Sequence, residues 1–495
     1  MDKATQPYSL YSAPIVPRFI KPFCAKFKTH SSILLCSMIG LAIGLIALKL
    51  SLKIMLGLFV LLIIGIIGLL KPEAVAIMLA FLLPFHLEWE MAQLAGIKVG
   101  TTSLLVAVGI LSIIINQFLN RKTKFPQIPN IIPWLLLAIF MCAAYIHSPF
   151  FIPEPAKIPW HLYRTILRFL LIFPLFFILI KTKGEKLVKG IILALLISTT
   201  LTAAVGIIQT AFNVSFHPFH FGIGLQMLNT RPDVQGIDEA SGILRAFGSF
   251  THSNAFAGFL ILTLSMTAGI FLFAKKNKLW YAAAISGIFQ LLALMCTMSR
   301  GGWIAFSCSF FIMTILAKKK RLILVALISL FVIVLFLPAA SVKKISSRAH
   351  SIAKPTEVEE FTFRQGRWSS FLEIISKNPI LGTGEAVLEH SSDESIGQTP
   401  HNMYLYFAVQ YGIPALILFL YFLGQVIYRS FINFRMAQHN WHKTVSLGAL
   451  GSMVALMIHG SVDALVGIDQ IWTAFWLVAA IAFSLGEPNS DNNID

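Results

Sequence analysis

The sequence predicts an all-α, polytopic membrane fold, and three observations carry that prediction. Of 495 residues, 57% are hydrophobic and 12% charged, against roughly 25% charged in a soluble globular domain. Mean hydropathy is +0.77, and the apolar residues gather into runs approaching the roughly 20 residues that cross a hydrocarbon core about 30 Å thick. The 39 basic and 22 acidic residues give a net charge of +17. In a soluble chain that excess suggests nucleic acid; here the basic residues sit in short clusters between apolar runs, where membrane orientation explains them, and no nucleic-acid partner is expected.

In chain order, residues 1–31 form a basic N-terminal segment with Lys3, Arg18, Lys21, Lys26 and Lys28. The first apolar run lacks a small-residue cleavage site and is followed at once by another, so it reads as a retained span. Candidate runs are 32–48, 54–70, 74–85, 102–118, 131–146, 166–180, 187–212, 255–274, 279–296, 303–316, 322–339, 403–427, 445–465 and 471–485. The third and tenth are short and could be tilted or re-entrant, which predicts about 12–14 transmembrane helices. The expected organisation is a cytoplasmic segment (1–31), an N-terminal bundle (32–212), helices carrying arginine motifs (213–340), a large polar loop (341–402), C-terminal helices (403–486) and a disordered tail (487–495).

With the N-terminus in the cytoplasm, the same side receives Arg121, Lys122 and Lys124, then KTKGEK from 181, KKNK from 275, KKKR from 318, and Arg429 with Arg435. That pattern follows the positive-inside rule and makes both termini cytoplasmic. The 341–402 loop falls on the opposite face, which in a bacterium is the periplasm. It is basic although external, with Lys343, Lys344, Arg348, Arg364, Arg367 and Lys377. Long translocated loops are exempt from the charge rule, so these charges ask for another purpose.

Cofactor signals are absent from the sequence. Cys24, Cys36, Cys142, Cys296 and Cys308 have no metal-ligand spacing and read as small buried hydrophobes. There is no P-loop, GxGxxG or HExxH, and no metal or cofactor is expected.

Five constellations could carry chemistry. Arg245 precedes GSFTHSNAF, where Ser253 or Asn254 is expected to cap a helix; a helix start beside a guanidinium is an anion site, or simply a cap with an interfacial arginine. Arg300, in CTMSRGGWIAF, lies between two apolar runs with almost no loop. An arginine so close to hydrocarbon either lines a wet cavity or snorkels. Arg364 and Arg367 precede an expected amphipathic helix at 367–377, with Trp368, Phe371, Leu372 and Ile375 on one face. A helix N-terminus disfavours cations, so those arginines are better explained by diphosphate. His401 and Asn402 open the 403–427 run, where an imidazole could act as general base; Glu385, Glu389, Asp393 and Glu394 are rival bases or orienting partners. His459 and Asp463, four apart in one run, are expected on one helical face. There they bond to each other or to a neighbouring helix, relay protons, or form half a metal site.

Across roughly 187–485 the chain resembles the O-antigen ligase and polymerase superfamily of bacterial inner-membrane enzymes. Three blocks carry the resemblance. RAFGSFTHSNAFAGFL is similar to the family's arginine-glycine-phenylalanine segment with its downstream asparagine, and MSRGGWIAF to its Ser-Arg-Gly motif. HNMYLYFAVQYGIPA matches the ligase pattern of His, then Asn, Ser or Gln, nine residues and Gly. After two more residues that pattern usually has Gly, Thr or Gln, where this chain has Ala415. RWSSFLEIISKNPILGTG also resembles the stretch before the family's histidine.

The resemblance implies a metal-independent, inverting glycosyl transfer from an undecaprenyl-diphosphate-linked glycan, among membrane lipid, to a hydroxyl of lipid A-core or of a growing polysaccharide. It assigns diphosphate binding to Arg245 and Arg300, with Arg364 and Arg367 added on charge and position. It makes His401 the catalytic base, with Asn254, Asn402 and Glu385 in support. Ligation of O-antigen to lipid A-core is the first expectation. The alternatives are O-antigen or exopolysaccharide polymerisation, then protein O-glycosylation; a transporter is the rival from another class.

Overall fold

The computed structural model describes residues 63–85, 101–119, 126–147, 166, 170–214, 244–319, 359–384, 400–465 and 468–485, with the side chains of 359–367 among those not described. The runs at 32–48 and 322–339 and most of 54–70 lie outside these residues. Among them the fold is all-helical, without a strand, and polytopic.

The chain runs through α1 (Pro72–Leu82), closed by a 3-10 turn at Leu83–Phe85, then α2 (Thr101–Leu119), α3 (Ile131–His147), α4 (Ile172–Lys183) and α5 (Glu185–Phe212). It continues with α6 (Ser253–Phe273), α7 (Lys278–Cys296), α8 (Arg300–Leu316), α9 (Glu359–Lys377), α10 (Met403–Met436), α11 (Asn440–Gly460) and α12 (Asp469–Ser484). Among the described residues α5, α6, α7 and α10 are long and apolar enough to cross a membrane, and α1, α2, α3, α8 and α12 are shorter apolar helices.

The centre is α6, buried along almost its whole length. It packs against α5, α7, α8, α11 and α12. A helix apolar all round belongs inside a bundle, and in a membrane its specificity comes from packing and interhelical hydroxyl bonds. Ser452 Oγ on α11 donates to Leu262 O on α6 (2.6 Å), and Ser309 Oγ on α8 donates to Gly451 O on α11 (2.7 Å). Aromatic packing of Phe173, Phe422 and Trp476 joins α4, α10 and α12.

The 403–427 run extends to Met436 and breaks inside at Gly412, φ 86° and ψ 168°, with Pro414 just beyond. Breaking a helix frees backbone groups that must find partners away from water. The segment after α9 supplies them: Thr383 N donates to Val409 O (2.8 Å), Gly384 N to Gln410 O (3.0 Å), and Ile413 N to Pro379 O (2.8 Å).

Three expectations need correction. The amphipathic helix starts at Glu359, not Arg367, so Arg364 and Arg367 sit in its interior and the helix-dipole argument about them falls away. Its buried face is Phe371 and Ile375 against Ala408 and Val409 of α10, whereas Leu372 is 55% exposed. The 445–465 run ends as helix at Gly460. Val462 N and Asp463 N bond back to His459 O in the turn beyond, so Asp463 lies past the end of the helix.

The helix ends fall into two groups. Lys183 pairs with Glu73 at 3.0 Å, Lys189 lies over the Trp441 ring, and Lys319 reaches Leu272 O. These contacts tie the starts of α1, α5 and α11 to the finishes of α4, α6 and α8 at one basic end. The opposite ends of the helices gather Arg245, Arg300, His401 and Asp463.

Candidate active site at the helix ends

Arg245 belongs to an extended segment beside the end of α7, where Ala246 N donates to Cys296 O at 2.9 Å. Gln209 of α5 fixes the next turn: its Oε1 accepts from Phe247 N (3.1 Å) and Gly248 N (2.8 Å), and its Nε2 donates to Gly248 O (2.8 Å). Arg245 Nε donates to Thr297 O (2.8 Å) and a terminal nitrogen donates to Asn254 Oδ1 (2.9 Å). The guanidinium is thereby aimed by two fixed acceptors.

The cap of α6 is not Ser253 or Asn254. It is His252, whose Nδ1 accepts from Ala255 N at 3.1 Å. Asn254 instead orients Arg245, and Ser253 Oγ donates to Arg245 O at 3.4 Å.

Arg300 is the first residue of α8 and is half-buried. Ser299 Oγ caps that helix by accepting from Gly302 N (3.3 Å) and lies 3.5 Å from His459 Nε2. The two glycines allow the fit. A Cβ at Gly301 would stand 2.6 Å from Val462 Cγ2 and 2.9 Å from His459 Cδ2, and one at Gly302 3.0 Å from Ala257 Cβ. The start of α8 is thus wedged between α6 and the turn after α11.

His401 has φ 47°, a left-handed backbone on a non-glycine residue, a conformation that persists only where the surroundings over-determine it. They do. Trp368 Nε1 on α9 donates to Pro400 O (2.9 Å). Asn402 Oδ1 caps α10 by accepting from Tyr404 N (3.0 Å) and Leu405 N (3.1 Å), while its Nδ2 donates to Ser461 O (3.1 Å).

So held, His401 Nδ1 lies 3.4 Å from Asp463 Oδ1, which also accepts from Ala464 N at 2.8 Å. Asp463 is buried, 4% exposed. Burial alone would raise its pKa, but the hydrogen bond from His401 and the charges of His459, His252 and His401 outweigh it and hold the carboxyl below the usual carboxylate range. His252 moves down from its ordinary value through burial, with His401 and Arg245 adding to the effect and Asp463 opposing it. Each of these groups therefore sits within electrostatic reach of the others.

The structure brings Arg245, Asn254, Arg300, His401 and Asn402 to one end of the bundle. Arg364 and Arg367 are on α9, which packs on α10, but their side chains lie outside the described residues. Glu385, Glu389, Asp393 and Glu394 lie outside them altogether. His459 and Asp463 take separate partners, Ser299 and His401, and no metal-binding group of three His, Cys, Asp or Glu occurs among the described residues. Sequence reasoning missed His252 as cap and Asp463 as the partner of His401. A readable signal for the first was an imidazole three residues before Ala255, at cap spacing.

No curated protein matches the chain. Residues 285–420 match the family model described as O-Antigen ligase, a range that takes in Arg300, Arg364, Arg367, His401, Asn402 and the Gly412 break but not Arg245, Asn254 or Asp463. Over that stretch the chain is similar to the O-antigen ligase family, and the match supports, in general terms, glycan transfer of the O-antigen ligase type.

Proposed function

We propose that the chain transfers a glycan from an undecaprenyl-diphosphate carrier to an acceptor hydroxyl at the periplasmic face of a bacterial inner membrane, with both termini cytoplasmic. One observation carries this reading: the His401 to Asp463 contact stands at the same helix ends as Arg245 and Arg300. An oriented imidazole beside two arginines is what displacement of a diphosphate from a sugar needs.

In this mechanism His401 donates Nδ1–H to the Asp463 carboxylate, which leaves Nε2 as proton acceptor. The acceptor hydroxyl gives its proton to Nε2 as its oxygen bonds to the anomeric carbon. The bond from that carbon to the diphosphate breaks, and its electron pair leaves with the lipid diphosphate. Attack opposite the leaving group inverts the centre. Asp463 stays ionised and stabilises the imidazolium. Arg245 and Arg300 take up the charge on the departing phosphates, because the guanidinium fork matches phosphate oxygens. Arg364 and Arg367 on α9 extend that positive surface, and Asn254 and Asn402 hold Arg245 and the His401 turn.

Ligation of O-antigen to lipid A-core is the reading adopted. Repeat-unit polymerisation and protein O-glycosylation share the chemistry and differ in acceptor. A proton-coupled transporter is disfavoured because Asp463 pairs with His401 and His459 with Ser299, all at the helix ends and not within a span. The deciding experiment is the surface glycan of a deletion strain on a gel. Loss of all capped chains with accumulation of carrier-linked polymer supports ligation; core bearing a single repeat shows polymerisation instead.

A further inference from the structure

The imidazole of His252 has one nitrogen spoken for. Its Nδ1 accepts the Ala255 amide at 3.1 Å, and a ring nitrogen that accepts cannot also carry a proton. With Nδ1 accepting, the ring's proton is on Nε2, and burial, with Arg245 nearby, shifts the ring toward that neutral form. Among the described residues that Nε2–H has no hydrogen-bond partner. Its place is set by its neighbours in sequence: Ser253 and Asn254 both bond to Arg245. Arg245, His401 and Asp463 all lie within electrostatic reach of the His252 ring.

We propose that His252 is a ligand for the diphosphate of the lipid-linked donor, presenting its Nε2–H to a phosphate oxygen beside Arg245. The inference rests on the function proposed above and adds a residue to that site. A diphosphate offers more acceptor oxygens than one guanidinium can satisfy. A neutral donor adds a hydrogen bond without the like-charge repulsion a third cation would bring against Arg245 and Arg300.

Two substitutions separate the two ring nitrogens. His252→Asn keeps an acceptor where Nδ1 stands, and so keeps the cap, but removes the donor at Nε2. His252→Gln places an amide donor near Nε2 and gives up the cap. The full chain is reconstituted in phosphatidylcholine vesicles and titrated with undecaprenyl diphosphate, with binding followed by tryptophan fluorescence and folding by thermal midpoint. The expected result for His252→Asn is binding weakened about ten-fold at an unchanged midpoint. For His252→Gln it is binding within about two-fold of the unaltered chain at a lowered midpoint. Unchanged binding in His252→Asn overturns the inference, as does a loss of turnover there with no loss of binding, which would mean His252 serves Asp463 instead. The proposed function has its own test. His401→Ala should bind the lipid diphosphate normally and transfer nothing, whereas failure of the unaltered chain to bind it at all removes the donor reading and this inference together.

Discussion

His401 Nδ1 and Asp463 Oδ1 lie 3.4 Å apart, joining the start of α10 to the turn after α11. The left-handed backbone at His401 and the buried carboxylate of Asp463 are two unfavourable features that support each other. The left-handed backbone turns the imidazole toward the carboxylate, and the imidazole and the Ala464 amide both bond Oδ1, while Oδ2 is buried without a hydrogen-bond partner among the described residues.

Asp463→Asn tests the partnership. An amide offers an N–H where the carboxylate accepts one, which favours the wrong tautomer and protonates the nitrogen that should act as base. We expect transfer to fall by about 100-fold or more with donor binding unchanged, and Asp463→Glu to recover part of the loss. Single-turnover transfer in vesicles measures this, and a rate for Asp463→Asn within about two-fold of the unaltered chain would remove Asp463 from the mechanism.

Arg245 is aimed through Thr297 O and Asn254 Oδ1. Lysine keeps the charge but lacks the planar fork that makes both contacts and still faces phosphate. Arg245→Lys should weaken undecaprenyl diphosphate binding about ten-fold, with Asn254→Ala moving it in the same direction by less. Equal binding by the lysine variant would show that position 245 contributes only charge.

Gly412 combines a φ of 86° with a site where a Cβ would stand 2.1 Å from Ile380 O and 2.5 Å from Ile380 C. Those atoms are backbone and cannot swing aside. Gly412→Ala should destabilise the protein by about 2 kcal/mol or more and loosen the 379–384 segment that covers the broken helix. A lowered thermal midpoint together with earlier proteolysis near Thr383 is the expected readout; an unchanged midpoint would contradict the close approach.

Acid should loosen the α6 entrance before it reaches Asp463. The folded pKa of His252 lies below its ordinary 6.5, so its contribution to stability is complete above about pH 6.5 and declines as pH falls toward the folded value. Asp463 is also depressed, and its contribution is lost only below the ordinary carboxylate range, about pH 4. The thermal midpoint should therefore drop as pH falls below about 6.5, and His252→Asn should flatten that part of the curve. A drop of the same size in the variant would assign it to another group.

The parts of the site carried by local motifs were legible in the sequence, and the parts made by the fold were not. Arg245, Arg300 and His401 each mark a helix entrance, so charge and interruption of an apolar run exposed them. Asp463 misled because the apolar run continues smoothly past His459, and i, i+4 spacing implies one face only while the helix lasts; here it stops at Gly460. The break at Gly412 was hidden for a similar reason, since a Gly and a Pro inside an apolar run do not announce that a distant NPILGTG segment will satisfy the freed carbonyls. His252 was passed over because serine and asparagine are the commoner caps, and only the structure shows Asn254 spent on Arg245.

The central claim is that His401 supplies the base. The most direct measurement is glycan transfer by purified His401→Asn in vesicles with a polyprenyl-diphosphate-linked donor. Asparagine tolerates the left-handed backbone and can still donate to Asp463, so folding and donor binding should persist. The account predicts normal binding with transfer lost; transfer at the rate of the unaltered chain would contradict it.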